Sequence, residues 1–145
     1  MLDLVFTPFE GCGPLSFGMP DAEVKRVLAG SDTFYLCDYI EGGLAAFWSD
    51  PQAIDHFRIG GVDLMQMDRL TAALHIASFS QDYGQAQGGS LYFMDLGLAL
   101  IQFESPSREF VVFARTYDPG EPLRPMDAKE ITDYYEAQTV QLRDA

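Results

Sequence analysis

The stretch from Gly11 to Gly30, GCGPLSFGMPDAEVKRVLAG, decides how the rest of the chain is read. A cysteine lies between two glycines, a proline follows, and a helix signal begins near Pro20. Such a stretch can be a phosphate-binding loop, a nucleophile loop or a strand-to-helix turn. A dinucleotide loop needs G-x-G-x-x-G between a strand and a helix. Here Gly11 and Gly13 are followed by Gly18, two places late, and Pro14 lacks the backbone N–H that a phosphate would use. No G-x-x-x-x-G-K-[ST] occurs anywhere. Cys12 as a nucleophile would need a base within reach. The two histidines are His56, in the strand-like IDHFRI, and His75, in a helical segment, and no spacing ties either to Cys12. A Cys12–histidine pair and a plain strand-to-helix turn both stay open at this point.

Working outward, Leu4–Phe6 reads as a short strand and 20–29 as a helix, with Asp21 and Glu23 at its start, Val24, Val27 and Leu28 on one face, and Gly30 after its end. Strands follow at 32–39, 43–49 and 54–59, separated by the turn signals Gly42-Gly43, Asp50-Pro51 and Gly60-Gly61. A second helix fits 66–79, with Leu70, Ala73, Leu74 and Ala77 as its stripe, and 80–89 reads as a polar loop. Three more strands fit 90–95, 97–104 and 109–117, and a last helix fits 127–142, opened by the capping box Asp127-x-x-Glu130. GLAAFWSDP at 43–51 aligns with GLALIQFESP at 97–106 with one inserted residue. The order predicts a tandem α-β-β-β repeat, about 1–61 and 62–118, followed by a C-terminal helix. The expected fold class is α+β, a single-domain two-layer sandwich of an antiparallel sheet with helices on one face.

G-x-G-P-L-x-F-G-M, followed by the acidic helix start with Glu23-Val24 and Val27-Leu28, resembles the opening of many small bacterial proteins, immunity proteins of toxin–immunity pairs among them. There a short strand runs into G-x-G-P-[LI]-x-[FL]-G-M-[ST]-x-x-E-V and then into a helix and antiparallel strands. The helix-plus-sheet repeats are similar to β-lactamase-inhibitory-protein-like folds. The motif covers about 20 of the 145 residues, and Pro20 replaces the usual Ser or Thr N-cap, a change a first helical turn accepts. The resemblance implies a tight strand-to-helix turn in which Gly11, Gly13 and Gly18 permit φ > 0 and Cys12 is a small buried residue, and a non-enzymatic protein that neutralises a cognate protein.

Composition agrees with a folded binding protein. Hydrophobic residues make up 48% and aromatic residues 13%, enough for a packed core in 145 residues. The net charge of −13 counts against binding nucleic acid or an anionic membrane surface, both of which recruit Lys and Arg. It suits a partner with a basic surface, a toxin or a secreted effector, or else serves solubility alone. The N-terminus has no basic region before its short apolar run, and no apolar run reaches the length of a membrane span, so a soluble cytoplasmic protein is expected. Cys12, Cys37, His56 and His75 lack the close ligand pairs of a zinc site, so neither a metal nor a cofactor is expected.

Between Val27 and Phe57 stand five acids and no Lys or Arg, interleaved with Phe34, Tyr35, Tyr39, Phe47, Trp48 and Phe57. Strand alternation puts Ala45 and Phe47 on one face and Leu44, Ala46 and Trp48 on the other, and sets Phe57 and Ile59 against His56 and Arg58. If helices cover the Phe47/Phe57 face, Trp48 and His56 look outward amid carboxylates. Interfaces favour such aromatic anchors inside a polar rim; a Trp48 buried in the core is the competing reading. The candidate partner-binding residues are Trp48, Tyr35, Tyr39, Asp38, Glu41, Asp50 and His56. In 97–104 and 109–117 both faces are apolar, and a homodimer, a partner or the last helix could cover the second. A second functional reading is a dimeric acidic chaperone of a secreted effector, similar in length and charge to those of type III secretion. No catalytic residue is assigned.

Overall fold

The computed structural model describes residues 2–28, 34–49, 54–101, 109–120 and 122–144. They form β1 (Leu2–Thr7), β2 (Gly11–Gly13), β3 (Leu15–Ser16), α1 (Asp21–Val27), β4 (Phe34–Ile40), β5 (Gly43–Ser49), β6 (Ile54–Ile59), β7 (Val62–Asp63), a 3-10 turn (Leu64–Gln66), α2 (Arg69–Ala77), β8 (Tyr83–Gln85), β9 (Leu91–Phe93), β10 (Leu98–Ile101), β11 (Glu109–Phe113), β12 (Arg124–Pro125) and α3 (Ala128–Asp144). The class is α+β. Two mostly antiparallel sheets are present, one of five strands in the order β3-β2-β1-β6-β7 and one of seven in the order β12-β8-β9-β10-β11-β5-β4.

The opening stretch is a piece of scaffold. After the β1–β2 hairpin, β3 folds back on β2, and the next residues cross to the larger sheet: Gly18 N–H donates to Leu44 O (2.9 Å) and Leu44 N–H to Met19 O (2.8 Å). Gly18 has φ +94, and a Cβ on Gly43 would stand 2.9 Å from Gly18 Cα, so the crossing needs glycine on both sides. Pro20 then takes the N-cap place of α1 with no side-chain cap; its carbonyl accepts from Glu23 and Val24. The helix ends at Val27 with Leu28 as its C-cap, short of the expected 20–29; Gly30 itself lies outside the described residues. Asp68 caps α2 by accepting from Thr71 N and Oγ1, and the Asp127/Glu130 capping box closes in both directions.

The strand at 54–59 does not extend the β4–β5 hairpin. It leaves the larger sheet and pairs parallel with β1. Both sides of β5 are already taken, by β4 on one and on the other by the Gly18–Met19 segment, Ala114 and β11. β5 and β10 are each the second strand of a hairpin, with β4 and with β9, and both flank β11, so the likeness of 43–51 to 97–106 extends to the hairpins; the strands that follow differ, since β11 stays in this sheet and β6 enters the other. Residues 50–53 and 102–108 of those segments lie outside the described residues. Within 80–89, β8 pairs with β9 and β12. The segment reads as loop because a strand of three residues, Tyr83-Gly84-Gln85, is too short to show alternation.

Two bulges set which side chains face the core. Cys37, Asp38 and Tyr39 pair with Phe47, Ala46 and Leu44, so Ala45 is the extra residue, and its carbonyl accepts from Ala114 N (2.7 Å). Leu44 and Phe47 therefore both face inward, while Ala46 and Trp48 face out. This corrects the simple alternation, which sets Leu44 with Trp48. On β6 the shift falls at Asp55, so Ile54, Phe57 and Ile59 point inward.

The main core lies between one face of the seven-stranded sheet, the inner face of the five-stranded sheet and the three helices, which supply Val24, Ala72, Ala73, Ile76, Ile131 and Tyr135. The buried stripe of α2 is thus centred on Ala72, Ala73 and Ile76, one step from the predicted one, with Leu70, Leu74 and Ala77 at its border. Phe57 joins the sheets. It stacks on Phe6 (centroids 6.1 Å) and meets Phe110 of the larger sheet at 4.0 Å. Replacing Phe57 with Ala is expected to cost about 3–5 kcal/mol, the range for emptying a buried aromatic site, read as a lower urea midpoint with the fold otherwise retained.

Candidate functional site

The outer face of the seven-stranded sheet carries a second apolar cluster. Ala46, Tyr92, Ala99, Val111 and Phe113 are buried there, and Tyr117 and Leu123, from the chain after β11, pack on them. Trp48, the chain's one tryptophan, lies half-buried between Leu36 of β4 and Val111 of β11 and packs edge-on against Tyr117 (centroids 6.2 Å, 79°). The Tyr117 hydroxyl donates to Asp38 Oδ2 (3.3 Å) on β4, the last strand of the sheet. Burial, helped by the Asp38 charge and this hydrogen bond, pushes the Tyr117 phenol up, so it remains a donor. Trp48, Tyr117 and Asp38 thus form one aromatic-acidic unit beside a sheet edge that no described strand covers.

The other predicted partner residues divide around this unit. Tyr39 points to the opposite, inner side of β4, packs at the core border and hydrogen-bonds Asp21 at the start of α1; burial and that bond raise its phenol. Glu41 is exposed at the tip of the β4–β5 hairpin, where φ is +52 at Glu41 and +83 at Gly42, the pattern of a type I′ turn. Only the backbone of Tyr35 is described, within β4, and Asp50 lies outside the described residues.

His56 belongs to the five-stranded sheet and is not part of the Trp48 group. Its Nδ1–H donates to Asp63 Oδ2 (2.5 Å), while Nε2 stands 3.8 Å from Asp3 Oδ1. Asp63, with a side chain 13% exposed, also accepts from the backbone N–H of Phe57 (3.1 Å) and Met65 (3.0 Å). Burial pushes the Asp63 carboxyl up, but the His56 bond, the two N–H bonds and the imidazole charge outweigh it and hold the group below the ordinary aspartate range. Because the folded value is the lower one, the stability linked to Asp63 is complete above the unfolded value and is lost as pH falls through the folded one. Urea titrations should therefore show wild type losing stability below about pH 4. Asp63→Asn should start less stable at neutral pH and converge toward wild type in acid.

The remaining histidine and the cysteines are held within the fold. His75 Nε2–H donates to Ile59 O (3.0 Å) and its ring stands edge-on to Phe79, tying α2 to the end of β6. Cys12, on the inner face of β2, is fully buried and makes no hydrogen bond with either histidine; burial pushes its thiol far up, toward the unreactive neutral form. Cys37 is half-buried, and burial and the charges of Asp21 and Asp38 raise its thiol as well. In the native state at pH 8, iodoacetamide is expected to label Cys37 slowly and Cys12 only on unfolding, as peptide mapping would resolve. Among the described residues no group of three or more His, Cys, Asp or Glu is placed to hold a metal, and no helix is long and apolar enough to cross a membrane.

Compared with protein-family models, curated proteins and solved structures, the chain matches none. Sequence reasoning missed Tyr117 and Asp63 as site residues. Tyr117 stands four places past Phe113, in the turn after β11, where strand alternation no longer says which way a side chain points. Asp63 was readable only in part: the Gly60-Gly61 turn sets it opposite Arg58, and its carboxylate reaches past that neighbour to His56.

Proposed function

We propose that this chain acts by binding another protein, as an immunity protein neutralises a toxin, and that the partner docks a basic surface on Trp48, Tyr117 and the acidic edge at β4. The observation that carries the reading is the half-buried Trp48, set edge-on to Tyr117 with Asp38 bonded to the Tyr117 hydroxyl. Hot spots favour large aromatics held rigid at low entropy cost, with polar groups at their border. Here the ring pair is oriented before any partner arrives, because Asp38 and the packed sheet fix it. Supporting it is the net charge of −13, which accelerates encounter with a cationic surface. Asp38 and the exposed Glu41 lie at the border of the aromatic pair and hairpin, where charges act on association rate and partner choice more than on residence time.

The test is co-expression with the product of the adjacent open reading frame, followed by co-elution and stopped-flow association. A 1:1 complex that restores growth under expression of that product is expected, with association slowing as salt rises. Trp48→Ala should weaken the complex by about 2 kcal/mol, roughly 30-fold, mainly through faster dissociation, without loss of the folded state. No complex, or one indifferent to Trp48→Ala, overturns the reading.

A further inference from the structure

Next to Tyr117 on the outer face lies a cavity of about 220 Å³ lined by Phe9, Met94, Phe113, Ala114, Arg115 and Tyr117. Its volume excludes a nucleotide-sized cofactor, since pockets for drug-sized ligands start near about 300 Å³. It is an open depression with room for a single ring lying against its wall.

Two independent features mark it as built. Phe9, in the turn between β1 and β2, has φ +60, a left-handed conformation that is an outlier for a bulky residue and costs on the order of 1–3 kcal/mol. That conformation lays the Phe9 ring over Gly97, itself at φ +72, where a Cβ would stand 2.3 Å from Phe113 O and 3.0 Å from the Phe9 ring. On the Phe9 ring lies the Arg115 guanidinium, 4.1 Å from its centroid.

The second feature is that Arg115 has no carboxylate partner. Of the described bases, Lys25, Arg26, Arg124 and Lys129 are each paired with an acid, whereas Arg58, Arg69 and Arg115 are not, and of these three it is Arg115 that borders the cavity. Arg115 is exposed and, among the described residues, makes no hydrogen bond or ion pair. Stacking uses the face of a guanidinium and leaves its N–H edge free for a two-pronged bond to a carboxylate.

We infer that this cavity binds a small aromatic carboxylate, its ring among Phe9, Met94, Phe113 and Tyr117 and its carboxylate on Arg115. Neither Trp48 nor a partner protein is needed for it. Phenylacetate titrated into the isotopically labelled protein, followed by two-dimensional NMR, is the test. Saturable shifts are expected at Phe9, Met94, Gly97 and Phe113–Tyr117, weakening as salt rises. Benzyl alcohol, with the same ring and no charge, should bind at least about tenfold more weakly. Arg115→Gln should lower phenylacetate affinity by about tenfold or more, and Arg115→Lys should recover only part, since it keeps the charge and loses the fork. Arg115 is exposed, so both variants should keep the wild-type thermal midpoint. Absent or non-saturating shifts, shifts centred elsewhere, equal binding of benzyl alcohol, or unchanged affinity in folded Arg115→Gln would each overturn the assignment.

Discussion

The contact of Phe57 with Phe110 is the constraint on which the arrangement rests. Each ring belongs to a different sheet, and their centroids lie 4.0 Å apart inside the shared core. Through Phe57, which also stacks on Phe6, the inner residues of β1 and β2, Leu4, Phe6 and Cys12, share one core with the larger sheet. Hydrophobic burial is non-directional, so it does not by itself place β6 in the smaller sheet. Hydrogen bonding does. Every stretch of β5 from Leu44 to Trp48 is bonded on both sides, and β6 finds its partner in β1. A meander was ruled out by a filled ladder, not by side-chain chemistry.

What could be read from the chain follows from the range of the interactions involved. Caps and turns are local, and Asp68, Asp127 with Glu130, Glu41-Gly42 and Gly60-Gly61 sit where their residue types lead one to expect. Strand existence was legible for β4, β5, β6, β10 and β11 because their apolar runs are long. Partner choice was not, since β5–β11 and β1–β6 join segments far apart in sequence. The bulges at Ala45 and Asp55 were also hidden. Each reverses the alternation at one residue whose identity gives no warning, and the reversal decides that Leu44 joins Phe47 while Trp48 faces out. The candidate site was legible as an acidic, aromatic region around Trp48. That His56 would leave it, and Tyr117 enter it, depended on the same unreadable pairings.

The two faces of the larger sheet are closed by different means. Three helices and a second sheet seal the inner face. Among the described residues the outer face is covered in part by the chain after β11, with Tyr117 and Leu123, and by Phe9 from the β1–β2 turn. A face closed by a strap retains half-covered aromatics at the strap's margin, and Trp48, Tyr117 and Met94 occupy that margin. Function concentrates where a rigid scaffold meets an irregular segment, and the sheet beneath fixes the positions of what the strap leaves open.

Charge acts on this face at two ranges. The net charge of −13 creates a field that favours cations at a distance, but that field is screened over about 8 Å at physiological salt. Contact within the Arg115 cavity is governed instead by which donors lie within hydrogen-bond reach, and there the uncommitted guanidinium is held on Phe9. A carboxylate approaching it works against the long-range field yet gains a charge-assisted bond at short range. On the proposed reading, a basic surface approaching Asp38 and Trp48 would gain from the field and then be held by ring burial. The opposition selects by size: a small anion screened by salt can reach Arg115, whereas a large acidic surface is repelled by the whole molecule before contact.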